Sequence, residues 1–260
     1  MNPRLSCVVH MTSQVIHDLL ASYPRTRPSL SQRHQELYVA EYKRGRSGGG
    51  GLPGTVAKVE AWMHKEVASA EEGARILELG AGTLNHLRYE NRPAAYDVVE
   101  PFRELWEGNP QLKNVSHIYK DISEVPDQKY DRIISVAVLE HLTDLPYVVA
   151  RCGLMLAVKG RFAAGIPSEG GFLWSLGWRA TTGLSFRLRT GLSYEPYMRH
   201  EHVNLADEII TVTRYFFEDV RIRRFPLENK HLSLYTALDA SRPRLNLCRE
   251  FIQHRKQLVT

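Results

Sequence analysis

Residues 76–83 read Ile-Leu-Glu-Leu-Gly-Ala-Gly-Thr, a short apolar run that ends in two glycines one residue apart. The apolar run predicts a buried strand, and the glycines predict a tight strand-to-helix turn whose backbone a ligand can approach closely. The dinucleotide-binding fingerprint needs a third glycine where this sequence has Asn85, which disfavours an oxidoreductase of that type. The stretch therefore predicts a ligand site at the end of a first parallel strand.

Short β-branched runs alternate with helical segments along the rest of the chain. We predict strands at these runs, which are residues 75–79, 96–100, 116–119, 132–136, 161–166, 219–225 and 232–238. Such alternation is typical of βαβ units, in which helices cover both faces of a parallel sheet. A polar turn joins the last two runs, which predicts an antiparallel pair at the sheet edge. Asn204, three residues before Asp207, predicts a helix start.

Carboxylates stand at the ends of three successive predicted strands. Glu78 precedes the first glycine, Glu100 closes the second strand, and Asp121 follows the third. Because the carboxyl ends of parallel strands meet at one edge of a sheet, we expect these side chains to lie close together. An acid at the position of Glu100 can accept hydrogen bonds from both hydroxyls of a ribose. Asp121 stands where a carboxylate can accept a hydrogen bond from the exocyclic amine of an adenine.

The motifs resemble those of the class I S-adenosylmethionine-dependent methyltransferases. The matching stretches are residues 76–83, YDVVEP at 96–101, KDI at 120–122, YDRIISVAVLEHL at 130–142 and KGRFAAGIP at 159–167. The resemblance spans about residues 73–240 and implies an α/β, Rossmann-like fold. Its seven-stranded, mostly parallel sheet would have the order 3-2-1-4-5-7-6, with helices on both faces and an N-terminal helical extension.

The resemblance also implies S-adenosyl-L-methionine as the cofactor. Glu78, Gly80 and Gly82 would lie against its methionine part, Glu100 would hold the ribose, and Asp121 with Ile122 would flank the adenine. The complete set of implied cofactor-binding residues is Glu78, Gly80, Ala81, Gly82, Glu100, Pro101, Asp121, Ile122, Val136 and Tyr42. The family often has a third glycine where this chain has Leu84.

The composition is that of an ordinary globular protein of 260 residues, with 43% hydrophobic and 24% charged residues. The net charge of +5 is concentrated at the two ends, which predicts solvated basic tails and disfavours nucleic acid as a partner. Three widely spaced cysteines exclude a disulfide scaffold. We find no signal peptide and no membrane span, and we expect a soluble cytoplasmic protein.

Changes in composition divide the chain into three regions. Residues 1–72 are predicted to be an N-terminal helical extension with a Gly-rich loop at 44–54. Residues 73–240 would form the methyltransferase domain, with a substrate or lid insertion at 168–203, and residues 241–260 a basic C-terminal tail.

Methyl transfer mainly requires alignment of donor and acceptor, and sometimes removal of a proton. His141, after the fourth predicted strand, is our first candidate for a general base, and His202 is the second. Glu140, His141 and either His200 or His202 would together resemble the metal site of the small-RNA 3′-end 2′-O-methyltransferases. Because Ala137 replaces one acid of that site, we assign no metal ligand.

The insertion at 168–203 is rich in aromatic residues and arginines, which can stack on and pair with a sugar-like or anionic substrate. The predicted substrate-binding residues are Trp174, Trp178, Arg179, Tyr197 and His200. An equally plain alternative is a lid that packs its own small core, or a contact in a homodimer.

The predicted function is transfer of a methyl group from S-adenosylmethionine to a small polar acceptor, such as a sugar, a glycan precursor or a secondary metabolite. Two alternatives remain open. One is 2′-O-methylation of RNA, supported by the basic ends of the chain. The other is a catalytically inactive scaffold with the methyltransferase fold.

Overall fold

The computed structural model describes residues 14–38 and 54–259. Its centre is a seven-stranded sheet with the order β3-β2-β1-β4-β5-β7-β6. The strands are β1 (Arg75–Leu79), β2 (Ala95–Val99), β3 (His117–Tyr119), β4 (Tyr130–Val136), β5 (Leu156–Pro167), β6 (Phe217–Pro226) and β7 (Ser233–Pro243). Strands β1 to β5 are parallel, and β7 runs antiparallel to both β5 and β6. The predicted fold class and strand order are confirmed, including the antiparallel pair at the edge.

Helices cover both faces of the sheet. They are α1 (residues 14–21), α2 (residues 32–38), α3 (Gly54–Val67), α4 (Arg103–Trp106), α5 (Leu145–Met155), α6 (Phe172–Trp178), α7 (Leu184–Thr190), α8 (Glu195–Glu201), α9 (Ala206–Phe216) and α10 (Leu245–Val259). A π-helical turn, Arg179–Gly183, joins α6 directly to α7. None of the helices in the described part of the chain combines the length and apolar character that a bilayer span requires.

The sheet is buried on both sides, which explains why its central strands read as continuous apolar runs. On one face, Val149, Ile209 and Cys248 of α5, α9 and α10 pack in the larger core. On the other face, Val67 of α3 packs with Ile76 of β1 in a second core. Full burial of an aliphatic side chain stabilises a fold by about 1.5–3 kcal/mol, so these layers dominate its stability.

The two ends of the chain, predicted as a helical extension and a basic tail, both contain helices in the described residues. Within residues 14–38 the N-terminal region forms helices at 14–21 and 32–38, with Pro24 and Pro28 between them. Tyr42 and nearly all of the Gly-rich loop lie outside the described residues. The C-terminal stretch, expected to be a solvated tail, forms α10 and packs against α5, since it carries apolar residues such as Ile252 at helical spacing.

The start of α9 also differs from the prediction. Its first residues are capped by Glu208, whose carboxylate accepts the Leu205 N–H at 2.7 Å. Asn204, predicted as the cap, instead lies buried and donates from Nδ2 to the carbonyls of Leu139 and Leu142 at 2.8 and 2.7 Å. The side chain of Asn204 therefore attaches the beginning of α9 to the turn after β4.

Candidate active site

A glycine turn at the end of β1 forms one wall of the candidate site. Gly80 and Gly82 have φ angles of +67° and +51°, in the left-handed region that favours glycine. A Cβ atom at Gly80 would lie 2.3 Å from the side chain of Val138. The missing side chain therefore lets the loop after β4 pack directly against this turn. Leu84, where the resembled family often has glycine, also has a positive φ of +60° and is buried.

Glu100 holds the glycine turn from the neighbouring strand end. Its Oε2 accepts the N–H of Gly82 at 2.8 Å, and its Oε1 accepts the N–H of Phe102 at 3.0 Å. A carboxylate offers about four lone-pair positions, so these bonds leave acceptor capacity for a ligand. The backbone N–H of Glu100 donates to Tyr119 O at 2.8 Å, which aligns the ends of β2 and β3.

The other predicted cofactor residues occupy the same edge of the sheet in different surroundings. Asp121 is exposed after β3 and accepts the Ser123 N–H at 2.8 Å, while Ile122 is buried in the larger core. Pro101 is exposed, Ala81 is buried, and Val136 is half-buried at the end of β4. The structure thus brings the predicted residues to one edge, apart from Tyr42, which it does not describe.

Glu78 lies one residue before the glycine turn and is buried. Its Oε2 accepts the hydroxyl of Tyr96 at 2.8 Å. Burial raises the pKa of Glu78 to about 7, against smaller opposing effects of His86 and Tyr96. Near neutral pH this carboxyl group is therefore poised between its two protonation states, and a cation bound beside it would favour the ionised state.

A buried polar network beneath the turn was missed by the sequence analysis. His86 Nδ1 lies 3.0 Å from His64 Nδ1 of α3, and its Nε2 lies 2.8 Å from Glu90 Oε1. Arg132 of β4 pairs with Glu90 and donates to Val67 O. Burial, followed by the charge of His86, lowers the pKa of His64 to about 4. The network attaches α3 to the chain that leaves the glycine turn.

Glu140, His141 and His202 converge at the end of β4. One ligand atom from each lies within 4.8 Å of the others, and the two imidazole rings are 4.8 Å apart at 88°. Glu140 is only 2% exposed, and its Oε2 has no hydrogen-bond partner among the described residues. Hydrogen bonds from the Val203 and Asn204 N–H groups to Glu140 O, at 2.8 and 3.1 Å, hold the two segments together.

The hydrogen bonds of the two imidazoles determine which nitrogen remains available. His141 Nδ1 lies 2.8 Å from Glu201 O. Because a carbonyl only accepts, Nδ1 carries the proton, and Nε2 of the neutral ring is an acceptor. His202 Nδ1 lies 2.5 Å from Glu169 Oε2, which leaves its Nε2 for other partners. The candidate bases therefore each retain an Nε2 atom not engaged by these contacts.

Glu140, His141 and His202 differ in the direction in which their surroundings shift their pKa values. Burial raises the pKa of Glu140 to about 7, although the nearby His202 opposes this. Burial and then the charge of His202 lower the pKa of His141 to about 4. Burial acts to lower the pKa of His202, but its hydrogen bond to Glu169 and the charge of Glu140 raise it above the usual value. His141 is thus neutral at pH 7.

An N-terminal segment that includes Tyr23, Arg25 and Arg27 crosses the same region. Tyr23 donates to Asn204 Oδ1 at 2.7 Å, and Arg25 makes a two-pronged pair with Glu208 at 2.7 and 2.9 Å. Arg27 donates to His141 O at 2.9 Å and to His200 O at 2.7 Å. This segment therefore braces the turn after β4 against the chain between α8 and α9.

An open cleft of about 480 Å³ lies beside this N-terminal segment and reaches His202. Its lining residues are Ser22, Pro24, Arg25, Thr26, Pro28, Arg199, His202 and Val203. The lining combines Pro24, Pro28 and Val203 with polar side chains, among them two arginines that could pair with an anionic group of a ligand.

The predicted substrate residues of the insertion do not form one pocket. Tyr197 is buried in a small core with Leu30 and Phe186, and its hydroxyl donates to His34 O at 2.6 Å. Trp178 lies under the guanidinium of Arg179, 4.9 Å from the ring centre. The small core is shared between the insertion and the N-terminal segment, since Leu30 and His34 belong to the latter.

The remaining two substrate candidates lie at the borders of the insertion. Trp174 packs edge-on against Tyr235 of β7 at 5.6 Å, and its buried Nε1 has no partner among the described residues. His200 is half-buried, and its Nδ1 lies 2.7 Å from Pro28 O. Their contacts are with β7 and with the N-terminal segment.

Sequence reasoning missed the residues that orient the histidines. Glu169, two residues after β5, carried no motif, and Glu201, in the charged stretch 199–202 that contains His202, was given no role. The position of Glu169 after a strand end was a usable signal, because acids at that edge of the sheet face the site. Arg27 and Tyr23 offered no such signal, since their partners are more than a hundred residues away.

Comparisons with solved structures identify the fold. The chain is similar to the crystal structure of a SAM-dependent methyltransferase from Thermotoga maritima, described as a possible histamine N-methyltransferase. The TM-score is 0.53 at 14% identity, and the match covers 79% of this chain and 96% of that one. A possible exported protein from Bordetella parapertussis gives a TM-score of 0.54 at 12% identity, covering 88% of this chain and 79% of that one.

No protein-family model matches the chain, and no curated protein sequence matches it either. At identities this low, the structural likeness shows the fold and not the acceptor. Together with the strand order, it shows that the chain has the class I S-adenosylmethionine-dependent methyltransferase fold. The fold expected from the sequence motifs is therefore the fold observed.

Proposed function

We propose that this protein transfers a methyl group from S-adenosyl-L-methionine to a small polar acceptor. The observation that carries the proposal is the contact between Gly82 and Glu100 at the end of β1, where a carboxylate and a side-chain-free turn form one wall. In doubly wound sheets, ligands bind at this edge, where the strand order reverses between β1 and β4. Glu100 would accept hydrogen bonds from the ribose hydroxyls of S-adenosyl-L-methionine, and the glycine turn would lie along the methionine part of the same molecule.

In this proposal the acceptor approaches from the side of His141 and His202. A neutral imidazole whose Nδ1 donates to a carbonyl presents Nε2 as a base, and His141 has this arrangement. Proton removal by a positioned group typically contributes about 10²–10⁴ in rate, while alignment of donor and acceptor contributes the rest. The polar cleft beside Arg25 and Arg199 supports an acceptor such as a sugar, a glycan precursor or a polar metabolite.

Calorimetric titration with S-adenosylhomocysteine tests the donor site, because the product binds without turnover. We expect one site per chain. Glu100→Gln should weaken binding by about 1–3 kcal/mol, the range for hydrogen bonds to charged groups. Glu104→Gln, an exposed acid on the neighbouring α4, is the matched control and should bind as the wild type does. No binding by the wild-type protein would contradict the methyl-donor assignment and leave the inactive scaffold as the better account.

A second candidate is favoured by the cluster of Glu140, His141 and His202. One carboxylate and two imidazoles are a common ligand set for divalent transition metals, and the buried Glu140 Oε2 without a partner suits a cation. The Nδ1 contacts to Glu201 O and Glu169 resemble the outer hydrogen bonds that orient metal-binding histidines. A metal held there would polarise an acceptor hydroxyl, as in metal-assisted O-methylation of a ribose or another diol.

Titration of the metal-stripped protein with Mn²⁺ or Co²⁺ separates the two candidates. Binding of one ion per chain that His202→Ala abolishes would favour the metal-dependent function. His200→Ala, two residues away and directed to Pro28 O, is the matched control and should leave binding unchanged. Full turnover in the presence of a chelator would exclude a required metal and favour His141 as the base.

A further inference from the structure

The insertion between β5 and α9 carries an apolar surface that the proposed methyl transfer does not use. Helix α6, the π-helical turn and α7 form one continuous helical stretch of residues 172–190. Four large apolar side chains point away from the described part of the protein, with exposures of 65% for Phe172, 52% for Leu176, 51% for Leu184 and 78% for Leu188. Phe172 and Leu176 are four residues apart on α6, and Leu184 and Leu188 are four residues apart on α7, so the two side chains of each pair lie on the same side of their helix.

The charged residues within the helical stretch itself all have the same sign. Between residues 170 and 194 the sequence contains Arg179, Arg187 and Arg189 and no acidic residue. All three arginines lie in exposed positions on the helical stretch. Long cationic side chains beside exposed leucines and phenylalanine can extend to a negatively charged layer while the apolar side chains enter a less polar one.

We propose that the surface formed by residues 172–190 docks this protein onto anionic lipid membranes. Interfacial helices combine an apolar side with flanking arginines or lysines and bind through apolar burial together with attraction to anionic headgroups. Residues 172–190 have both features, and at 1.5 Å per residue they extend over about 28 Å. The inference concerns attachment to the membrane surface and does not depend on the methyl-transfer proposal.

Charge decides between a membrane and a second copy of the chain. A two-fold dimer places the same patch of both subunits face to face. That arrangement would bring Arg179 and Arg187 of both subunits together with no acid from either helical stretch, which is unfavourable in a partly dehydrated interface. A membrane containing anionic lipids supplies the opposite charge at the same place as the apolar layer.

Co-sedimentation of the full chain with lipid vesicles tests the proposal. We expect binding to vesicles that contain phosphatidylcholine and phosphatidylglycerol, weaker binding at high salt, and little binding to phosphatidylcholine alone. The double variant Leu184→Ser/Leu188→Ser should reduce the bound fraction about tenfold or more, because two exposed apolar side chains no longer enter the lipid. Arg179→Gln/Arg187→Gln should lose the preference for anionic vesicles while retaining the apolar contact.

The matched control is Val15→Ser/Val158→Ser, which removes two apolar side chains that are 64% and 100% exposed on other elements. This variant should bind vesicles as the wild type does. All of the substituted side chains are exposed, so thermal unfolding should show that each variant folds. Absence of wild-type binding, or equal loss in the control, would overturn the proposal. Concentration-dependent dimerisation that only Leu184→Ser/Leu188→Ser abolishes would assign the surface to a second copy instead.

Discussion

At the scale of single residues, Glu78 connects cofactor binding to pH. Its carboxyl group is buried beside Tyr96 and has a pKa of about 7. In the proposed site it faces the amino-acid part of the donor, whose ammonium group is positively charged. Only the ionised carboxylate attracts that group, so binding and deprotonation of Glu78 support each other.

We therefore expect the affinity for S-adenosylhomocysteine to rise with pH. A group with a pKa near 7 is about one-tenth ionised at pH 6 and about nine-tenths ionised at pH 8, which allows an increase of up to about tenfold. Calorimetry at the two pH values measures it. Glu78→Gln should remove the pH dependence, and Glu72→Gln, an exposed acid, should keep it. If the affinity of the wild-type protein did not change with pH, Glu78 would not contact the ammonium group of the ligand.

The glycine turn allows a sharper comparison, because two glycines share a backbone conformation but differ in surroundings. Gly80 and Gly73 have φ angles of +67° and +74°. A Cβ at Gly80 would collide with Val138 at 2.3 Å, whereas one at Gly73 would have no atom within 4 Å in the described part of the chain. The difference in stability between the two alanine variants therefore measures the energetic effect of the close contact between Gly80 and the loop after β4.

Gly73→Ala should destabilise the fold by about 1–2 kcal/mol, the cost of a left-handed backbone for a residue with a Cβ. Gly80→Ala should cost more in urea unfolding and should also weaken binding of S-adenosylhomocysteine, because Val138 and the turn must move apart. If the two variants lost the same stability and bound equally well, the packing of Val138 on Gly80 would have no role in the site.

At the scale of elements, Asn204 joins the start of α9 to the turn after β4. Its amide donates to two carbonyls of that turn and accepts the hydroxyl of Tyr23. Because His202 lies two residues earlier, these bonds also bring His202 to His141. Local sequence does not reveal this role, since an asparagine before an amphipathic helix usually indicates a cap.

We expect Asn204→Ala to lower the free energy of unfolding by about 2–4 kcal/mol, since it leaves buried carbonyls without a donor. Turnover should fall further than cofactor affinity, because His202 loses its position while the glycine turn is unchanged. Urea unfolding and steady-state kinetics measure both effects. Asn114→Ala, at an exposed asparagine, is the control and should change stability little. Equal losses of turnover and cofactor affinity would indicate general disruption.

At the scale of the whole molecule, we expect the half-buried His64 to make folding sensitive to mild acid. Its folded pKa is about 4, because burial and the charges of His86 and Arg88 oppose protonation, against a usual value of 6.5. As the pH falls below about 6.5, the unfolded chain takes up a proton at His64 that the folded chain takes up only near 4. The free energy of unfolding that the neutral ring of His64 contributes is therefore lost as the pH falls from about 6.5 to about 4.

The wild-type protein should thus lose on the order of 2 kcal/mol more stability between pH 7.5 and pH 5 than His64→Gln does. Glu78, whose pKa is raised, acts in the opposite direction in both proteins, so the difference between them isolates His64. Urea unfolding at the two pH values measures it. His254→Gln, at an exposed histidine, should behave as the wild type. Identical pH profiles for the wild type and His64→Gln would show that His64 is protonated freely in the fold.

The amino-acid sequence by itself indicated the sheet and the edge at which we propose that the ligand binds. The features that revealed it are local, because the backbone conformation of a residue depends mainly on its neighbours in sequence. They are the short apolar runs, the glycines at 80 and 82, and the acids at 78, 100 and 121. They were sufficient to predict the strands and the glycine turn, whereas the strand order came from the resemblance of these motifs to the class I methyltransferases.

Only the tertiary structure decided the other half of the site. His141 and His202 are 61 residues apart in sequence. Asn204 and Arg27 donate hydrogen bonds to the backbone carbonyls of Leu139 and His141, and the backbone carbonyl of Glu201 accepts from the ring of His141. Such contacts leave no periodic pattern, since each depends on where two remote segments meet. For the same reason, the burial of Tyr197 and the packing of α10 on α5 became visible only in the folded chain.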